Sequence, residues 1–229
     1  MGKPLMIRFD RGFGEDRAIF KVRYINLPFN SLLLAPSDGF ALISKVGEKP
    51  SLPLLSGQKK IINRKGGLFR NVGLDKNEYE VIYFSLGSFG VKASTNFPFP
   101  AKDINVRRVK YFLRANAAFC FDPVSTPELV QTMASYHGYN QSSLPASYFR
   151  PMVEKALTDV MTEVGAKTLS KKGLSGAYEN VAAINREVTM LANRELSSFG
   201  LKVEEVSVRL EEEDEVSGKI KEFDLSQFD

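Results

Sequence analysis

The chain has 229 residues, of which 43% are hydrophobic and 25% are charged, as in ordinary globular proteins. One cysteine, Cys120, excludes an intramolecular disulfide, and a net charge of +4 does not indicate a strongly basic protein. Because no run approaches about 18 apolar residues and residues 1–6 lack a signal-peptide core, we expect an intracellular chain that does not cross a membrane unaided.

The pattern of residues 1–123 predicts a β-rich part. Residues 20–24 alternate apolar and basic side chains, which is typical of a half-buried strand. Residues 40–46 and 80–86 are short apolar runs rich in strand formers, and we predict a strand for each. Turn signals containing glycine occur at residues 36–39 and 56–57.

The longest predicted strand covers residues 109–121. Its odd-numbered positions are apolar, whereas Arg108, Lys110, Arg114 and Asn116 occupy the other parity, so one face should be buried. Asp122-Pro123 should end it, because proline cannot donate to a strand ladder.

A helical pattern follows in residues 124–216. We predict a short helix at residues 127–133, a loop at 135–147, and a helix from 149 with an apolar stripe up to Val164. Ser147 is the expected N-cap, and Lys171-Lys172-Gly173 should break the helix.

A second amphipathic helix is predicted for residues 176–199. Gly200 follows it at the position where helices favour a left-handed residue. Residues 201–210 then alternate as a strand, with a slip at Glu204-Glu205 that a bulge would explain. We predict one α+β domain over residues 1–229, with an antiparallel sheet in residues 1–123, two helices and a closing strand in 124–216, and a short tail at 217–229.

Two segments carry an uneven share of the charge. Residues 58–70 contain five basic residues and no acid, and residues 204–215 contain seven acids and one arginine. We predict a lipid- or anion-binding site in the first: Lys59, Lys60, Arg64, Lys65 and Arg70. We predict self-association through the second and its preceding strand: Glu204, Glu205, Val206, Val208, Leu210, Glu211, Glu212 and Glu213. The alternative is that both segments are solvated surface, with the acidic run forming a turn after the last strand.

Residues that carry catalysis are scarce. His137 is the only histidine, and no G-x-S-x-G motif is present. One cysteine and one histidine exclude a Cys/His zinc site within a single chain. The glycine-rich pieces match neither the P-loop nor the dinucleotide-binding pattern. We therefore predict a protein that is not an enzyme and that has no cofactor or metal site.

The order of these elements resembles the SPFH (band 7) domain family of stomatins, prohibitins and flotillins, and especially its bacterial virion core-like branch. That family ends its domain with a long helix, a glycine and an alternating strand, which correspond here to residues 199–210. The long strand closing on Asp122-Pro123 and the apolar–Pro–acid–Gly hairpin at residues 33–43 resemble the family pattern, as does the turn at 54–57.

The resemblance implies a homo-oligomeric scaffold that organises membrane surfaces or partner proteins without catalysis. It implies a cytoplasmic chain, peripheral to the inner face of a membrane. A second hypothesis is a monomeric module that binds anionic lipids, and a third is a hydrolase that uses His137. We do not expect nucleic-acid binding, because no known module is recognisable and no aromatic residue lies among the basic residues before Phe69.

Overall fold

A computed structural model describes residues 5–9, 17–28, 30–45, 51–62, 78–102, 108–125, 143–178, 181–213 and 220–222. The chain divides into two compact units. The first unit comprises Met1–Gly87, Phe121–Tyr148 and Ser198–Leu201. The second unit comprises Ser88–Cys120, Phe149–Ser197 and Lys202–Asp229.

The described residues form a β-rich first part, two helices and a late strand, which confirms the predicted α+β class. The strands are β1 (Met6–Ile7), β2 (Arg17–Ile25), β3 (Ser31–Leu34), β4 (Gly39–Lys45), β5 (Lys59–Ile62), β6 (Glu78–Ser85), β7 (Phe89–Ser94), β8 (Phe99–Lys102), β9 (Arg108–Phe121), β10 (Ser143–Pro145), β11 (Leu201–Glu213) and β12 (Ile220–Glu222). The helices are α1 (Arg150–Tyr178) and α2 (Val181–Leu196). Within these residues, neither helix has a stretch long and apolar enough to cross a membrane.

The first unit contains two sheets that share an apolar core. One sheet has the order β10-β2-β6-β4 and the other has the order β1-β3-β5. The pairs are antiparallel except for β1 with β3, which is parallel. The side chains of Ile7, Leu33 and Ile62 from the smaller sheet join Phe20, Val81 and others of the larger sheet in one buried cluster. The inner face of the smaller sheet therefore packs against the larger sheet through these three side chains.

The strands predicted for the first part are confirmed near their expected positions, as β2, β4 and β6. Gly57 adopts a φ of 74°, which only glycine reaches without strain, in the predicted turn before β5. The loop expected at residues 135–147 was partly wrong, because β10 pairs with β2 and a 3-10 turn follows at Ala146–Tyr148. The helix predicted at residues 127–133 lies outside the described residues.

In the second unit, helices pack on a sheet with the order β12-β11-β9-β7. Strand β8 continues along the same side of β9 as β7, and α1 packs against β7, β8 and α2. The predicted parity of β9 is confirmed, since Tyr111, Leu113, Ala115, Ala117 and Phe119 are all buried. A β-carbon on Gly165 of α1 would lie 2.7 Å from the Leu113 side chain, so this glycine permits the close approach of helix and sheet.

The helix boundaries differ from the prediction. Helix α1 continues through Lys171-Lys172-Gly173 to Tyr178, and α2 begins at Val181 rather than at residue 176. A single glycine costs a helix only about 1 kcal/mol relative to alanine, so it does not force an end. Ser147 is not the N-cap, because the first intrahelical bond runs from the Val153 N–H to the carbonyl of Phe149.

Strand β11 lies beside β9, and β12 pairs with it on the other side at Glu211, Glu212 and Glu213. Two asparagines of α2 also bond its backbone. Asn193 accepts a 2.7 Å bond from the Val203 N–H and donates a 3.2 Å bond to the Val203 carbonyl, and Asn185 accepts from the Val208 N–H at 2.9 Å. The side chains of α2 therefore pair with this strand as a neighbouring strand would.

The predicted phase slip in β11 is confirmed. Leu201 and Val203 are buried, Glu204 and Glu205 are exposed, and burial resumes at Val206. Glu205 has a φ of 53°, a left-handed conformation that is unusual for a residue with a side chain. The extra residue returns the apolar parity to the core after two consecutive exposed glutamates.

A buried ion pair joins β9 and β11. The carboxylate of Glu211 lies 2.7 Å from Nε of Arg114, and its side chain is 4% exposed whereas that of Arg114 is 43% exposed. The expectation of a solvated turn after the strand was wrong at this position, because β11 continues through Glu213 and buries Glu211. Because Glu211 is buried and Arg114 is half-exposed, removal of Arg114 should cost more stability than removal of Glu211.

We expect Arg114→Leu to destabilise the fold more than Glu211→Gln does. Loss of the guanidinium leaves a charged carboxylate in the interior, at a cost on the order of 3 kcal/mol, whereas loss of the carboxylate leaves an arginine that reaches water and costs about 1 kcal/mol. Urea unfolding measures both differences. Lys155→Leu, at an exposed position of α1, is the control. Equal costs for the two variants would contradict the prediction.

We expect Asn193→Ala to cost about 1–3 kcal/mol, because the backbone N–H and C=O of Val203 both lose a partner in a partly buried place. Amide hydrogen exchange at Val203 should accelerate more than at Val208, which keeps Asn185. Arg194→Ala, at the next and exposed position of α2, is the matched control. Unchanged hydrogen exchange at Val203 in Asn193→Ala would show that the Asn193 side chain does not protect the backbone of Val203.

Candidate functional site

The sheet β1-β3-β5 has an outward surface that is apolar, and we call it the outer face. The pairing places Met6, Leu32 and Ile61 side by side in one row, and Leu34 beside Lys59 in the next. Met6 is 51% exposed and Ile61 is 44% exposed, while Leu32 and Leu34 are half-buried. The outer face therefore displays large aliphatic side chains to solvent across all three strands.

This exposure follows from strand geometry. Successive side chains of a strand point to opposite faces, so β3, with the sequence Ser31-Leu32-Leu33-Leu34, cannot bury all of its leucines against one core. Leu33 is completely buried in the row of Ile7 and Lys60. Leu32 and Leu34 must then point outward, where the described residues provide no second layer that buries them fully.

Cationic groups flank the outer face. Lys59 is exposed on it, and the Arg8 guanidinium donates to the Met6 sulfur at 3.0 and 3.2 Å, which holds a positive charge beside the exposed row. Strands β1, β3 and β5 contain no acidic residue. The acid within residues 30–45 is Asp38, in the exposed turn beyond β3. The face thus combines aliphatic surface with positive charge.

The predicted basic site is only partly placed by the structure. Lys59 and Lys60 lie on neighbouring positions of β5 and point to opposite sides of the sheet. Lys60 points inward, and partial burial lowers the pKa of its ammonium group below the ordinary value. Arg64, Lys65 and Arg70 lie outside the described residues. The structure therefore separates the first two predicted members and leaves the grouping of all five a prediction.

The loop between β4 and β5, residues 51–58, adjoins this face, and we call it the leucine loop. Leu52 is 84% exposed and Leu55 is 43% exposed, whereas Leu54 between them is buried. The backbone of Leu54 exchanges two hydrogen bonds with Ala41 of β4, at 2.8 and 3.0 Å. The loop is thus anchored through one leucine and presents the two others to solvent.

The predicted self-association residues are distributed over both sides of β11. Val206, Val208, Leu210 and Glu211 are buried within the chain, so their side chains do not form a surface. Glu204 and Glu205 are exposed. The side chains of Glu212 and Glu213 lie outside the described residues. Within this predicted set, the two glutamates at the bulge are the members that the structure places at the surface.

Glu204 is held by two neighbours. The Lys202 ammonium lies 2.8 Å from its carboxylate and, with a further hydrogen bond from Cys120, lowers the pKa of Glu204 although burial opposes this. Cys120 itself is buried. His137 lies outside the described residues, and within the part of the chain that is described no group of three or more metal-ligating side chains occurs.

The apolar members of the outer face were not among the predicted site residues. The prediction included Lys59 and Lys60 but not Leu32, Leu34 or Ile61 beside them. A signal was present, because Leu32-Leu33-Leu34-Ala35 is apolar at both parities. Such a run leaves an apolar face outside whenever its sheet has only one covered side. Only the pairing of β3 with β5 shows which of the two parities faces outward.

No protein-family model matches the chain. No curated protein matches it either.

Proposed function

We propose that the chain is a non-enzymatic scaffold that contacts an anionic membrane surface through its outer face. The observation that carries the proposal is the row of Met6, Leu32 and Ile61, in which Met6 and Ile61 are exposed and Leu32 is half-buried, with Lys59 and Arg8 beside it. Aliphatic side chains gain free energy at the boundary between headgroups and acyl chains, and cations gain it beside anionic headgroups.

A lipid surface suits this face better than nucleic acid does. Binding of single strands depends on aromatic side chains that stack on bases, and strands β1, β3 and β5 contain no aromatic residue. Exposed aliphatic residues also contribute nothing to phosphate binding, which depends on cations. A bilayer uses both properties of the face at once.

The resemblance to the SPFH family supports the scaffold part of the proposal. The supporting features are the order of elements: a β-rich part, the strand β9 ending before Asp122-Pro123, two helices, then Gly200 and β11. Gly200 has a φ of 63°, the left-handed conformation that its place after a helix requires. We infer a cytoplasmic homo-oligomer that is peripheral to the inner face of a membrane and organises it or its partner proteins.

The chain should sediment with vesicles that contain phosphatidylserine and much less with pure phosphatidylcholine. Because one basic residue near such a surface is worth about 1 kcal/mol, Lys59→Glu should weaken the partition roughly tenfold or more. Ile61→Glu, which places a charge among the exposed aliphatic side chains, should weaken it at least as much. Binding should fall between low and high salt, since salt screens exposed charges.

Matched controls are available outside the face. Lys92→Glu reverses an exposed lysine on β7, and Ile25→Glu charges an isoleucine of β2 that is 58% exposed. Both should retain binding apart from the effect of net charge. Absence of sedimentation with any vesicle at low salt would refute the membrane contact, and equal losses in all four variants would refute the assignment to this face.

The same proposal predicts self-association. Light scattering of the chain at low salt should give a mass of two or more copies. Glu204→Lys and Glu205→Lys together should lower this mass if the bulge glutamates take part, because they are the predicted members at the surface. A monomer at high concentration, with or without vesicles, would instead favour the alternative of a monomeric lipid-binding module.

A further inference from the structure

The leucine loop exposes apolar surface without being loose. The Ser51 N–H donates to the carbonyl of Ile43 at 2.7 Å, and Ser56 Oγ donates to the carbonyl of Ser37 at 2.8 Å. Gln58 closes the end of the loop, because its N–H donates to the Leu55 carbonyl at 2.9 Å and its side-chain oxygen accepts from the Leu55 N–H at 3.0 Å. The exposed leucines therefore sit on a backbone that is bonded at both ends.

The loop buries one of its leucines and exposes two others. Leu54 is 7% exposed and belongs to the same core cluster as Leu33 and Ile62. Leu55, the next residue, is 43% exposed, and Leu52, before Pro53, is 84% exposed. A rigid loop with two exposed leucines has little ordering entropy left to lose when an apolar phase receives them.

The loop also leads directly into the cationic strand. The Ala35 N–H donates to the Gln58 carbonyl at 3.1 Å, which extends the pairing of β3 with β5 by one step beyond Leu34 and Lys59. The turn that carries Leu55 is thus continuous with the end of the outer face at which Lys59 is exposed. Aliphatic side chains next to a lysine match the acyl boundary and the anionic headgroups of one bilayer leaflet.

From this geometry we propose that the leucine loop is a membrane anchor: Leu52 and Leu55 insert below the headgroups of an anionic bilayer while Lys59 stays at headgroup level. The proposal rests on the membrane contact proposed above and adds penetration to it. The partner is a lipid leaflet with accessible acyl chains. If the contact were through charge alone, Leu52 and Leu55 would remain in water.

The chain offers a clean test because it contains no tryptophan. Leu52→Trp places a single indole at a position that is 84% exposed, where the fold tolerates a larger side chain. With vesicles of phosphatidylcholine and phosphatidylserine, its emission maximum should shift to shorter wavelength, and lipids brominated on the acyl chain should quench it. Met190→Trp, at a 63% exposed position of α2, is the matched control and should show neither change.

A second variant measures the contribution of the leucines. Leu52→Ser with Leu55→Ser should weaken vesicle partition roughly a hundredfold, because burying one leucine side chain is worth about a factor of ten or more. Circular dichroism and urea unfolding should remain close to those of the parent chain, since neither side chain belongs to the buried core. A partition changed less than threefold would overturn the anchor.

The outcomes separate the two proposals. If the parent chain sediments with vesicles but Leu52→Trp shows no shift and no quenching, insertion is refuted and surface contact stands. If the parent chain does not sediment at all, both are refuted. If the Leu52→Trp emission shifts with protein concentration in the absence of lipid, the loop binds a second copy and the membrane anchor is refuted.

Discussion

A strand can turn only every second side chain toward a core, and much of the first unit depends on this limit. The inner row of the sheet β1-β3-β5 fills the space against the larger sheet with Ile7, Leu33 and Ile62. The same register then places Met6, Leu32 and Ile61 together on the outside. The outward position of these apolar side chains thus follows from the register that buries Ile7, Leu33 and Ile62.

In the second unit, the backbone of β11 changes which side chains face the core. Strand β11 changes parity at Glu204-Glu205, and the left-handed conformation of Glu205 allows both glutamates to face water while Val203 and Val206 remain buried. Asparagine side chains then satisfy backbone groups of this strand from the side of α2. These side-chain amides leave less backbone available for pairing with another chain, which is one way in which proteins protect strand edges.

Local patterns predicted most of the elements but not all of their limits. The parity of β9, the phase slip in β11 and the left-handed Gly200 follow from neighbouring residues and are confirmed. The end of α1 was misjudged, because Lys171-Lys172-Gly173 weakens a helix only slightly and α1 continues to Tyr178. Strand β10 was missed, because three residues carry too little pattern and its pairing partner β2 lies more than a hundred residues earlier.

For the candidate site, the sequence by itself determined the composition: a basic segment that includes Lys59, an apolar run at residues 32–35, and leucines around Pro53. Only the tertiary structure decided which of these side chains meet water. In a run that is apolar at both parities, the choice between Leu32 and Leu33 depends on pairing with Ile61 and Lys60, nearly thirty residues away. Likewise Leu54 is buried where it pairs with Ala41, whereas Leu52, two residues earlier, is exposed. Long-range pairing selects the exposed face, since residue type is the same on both sides.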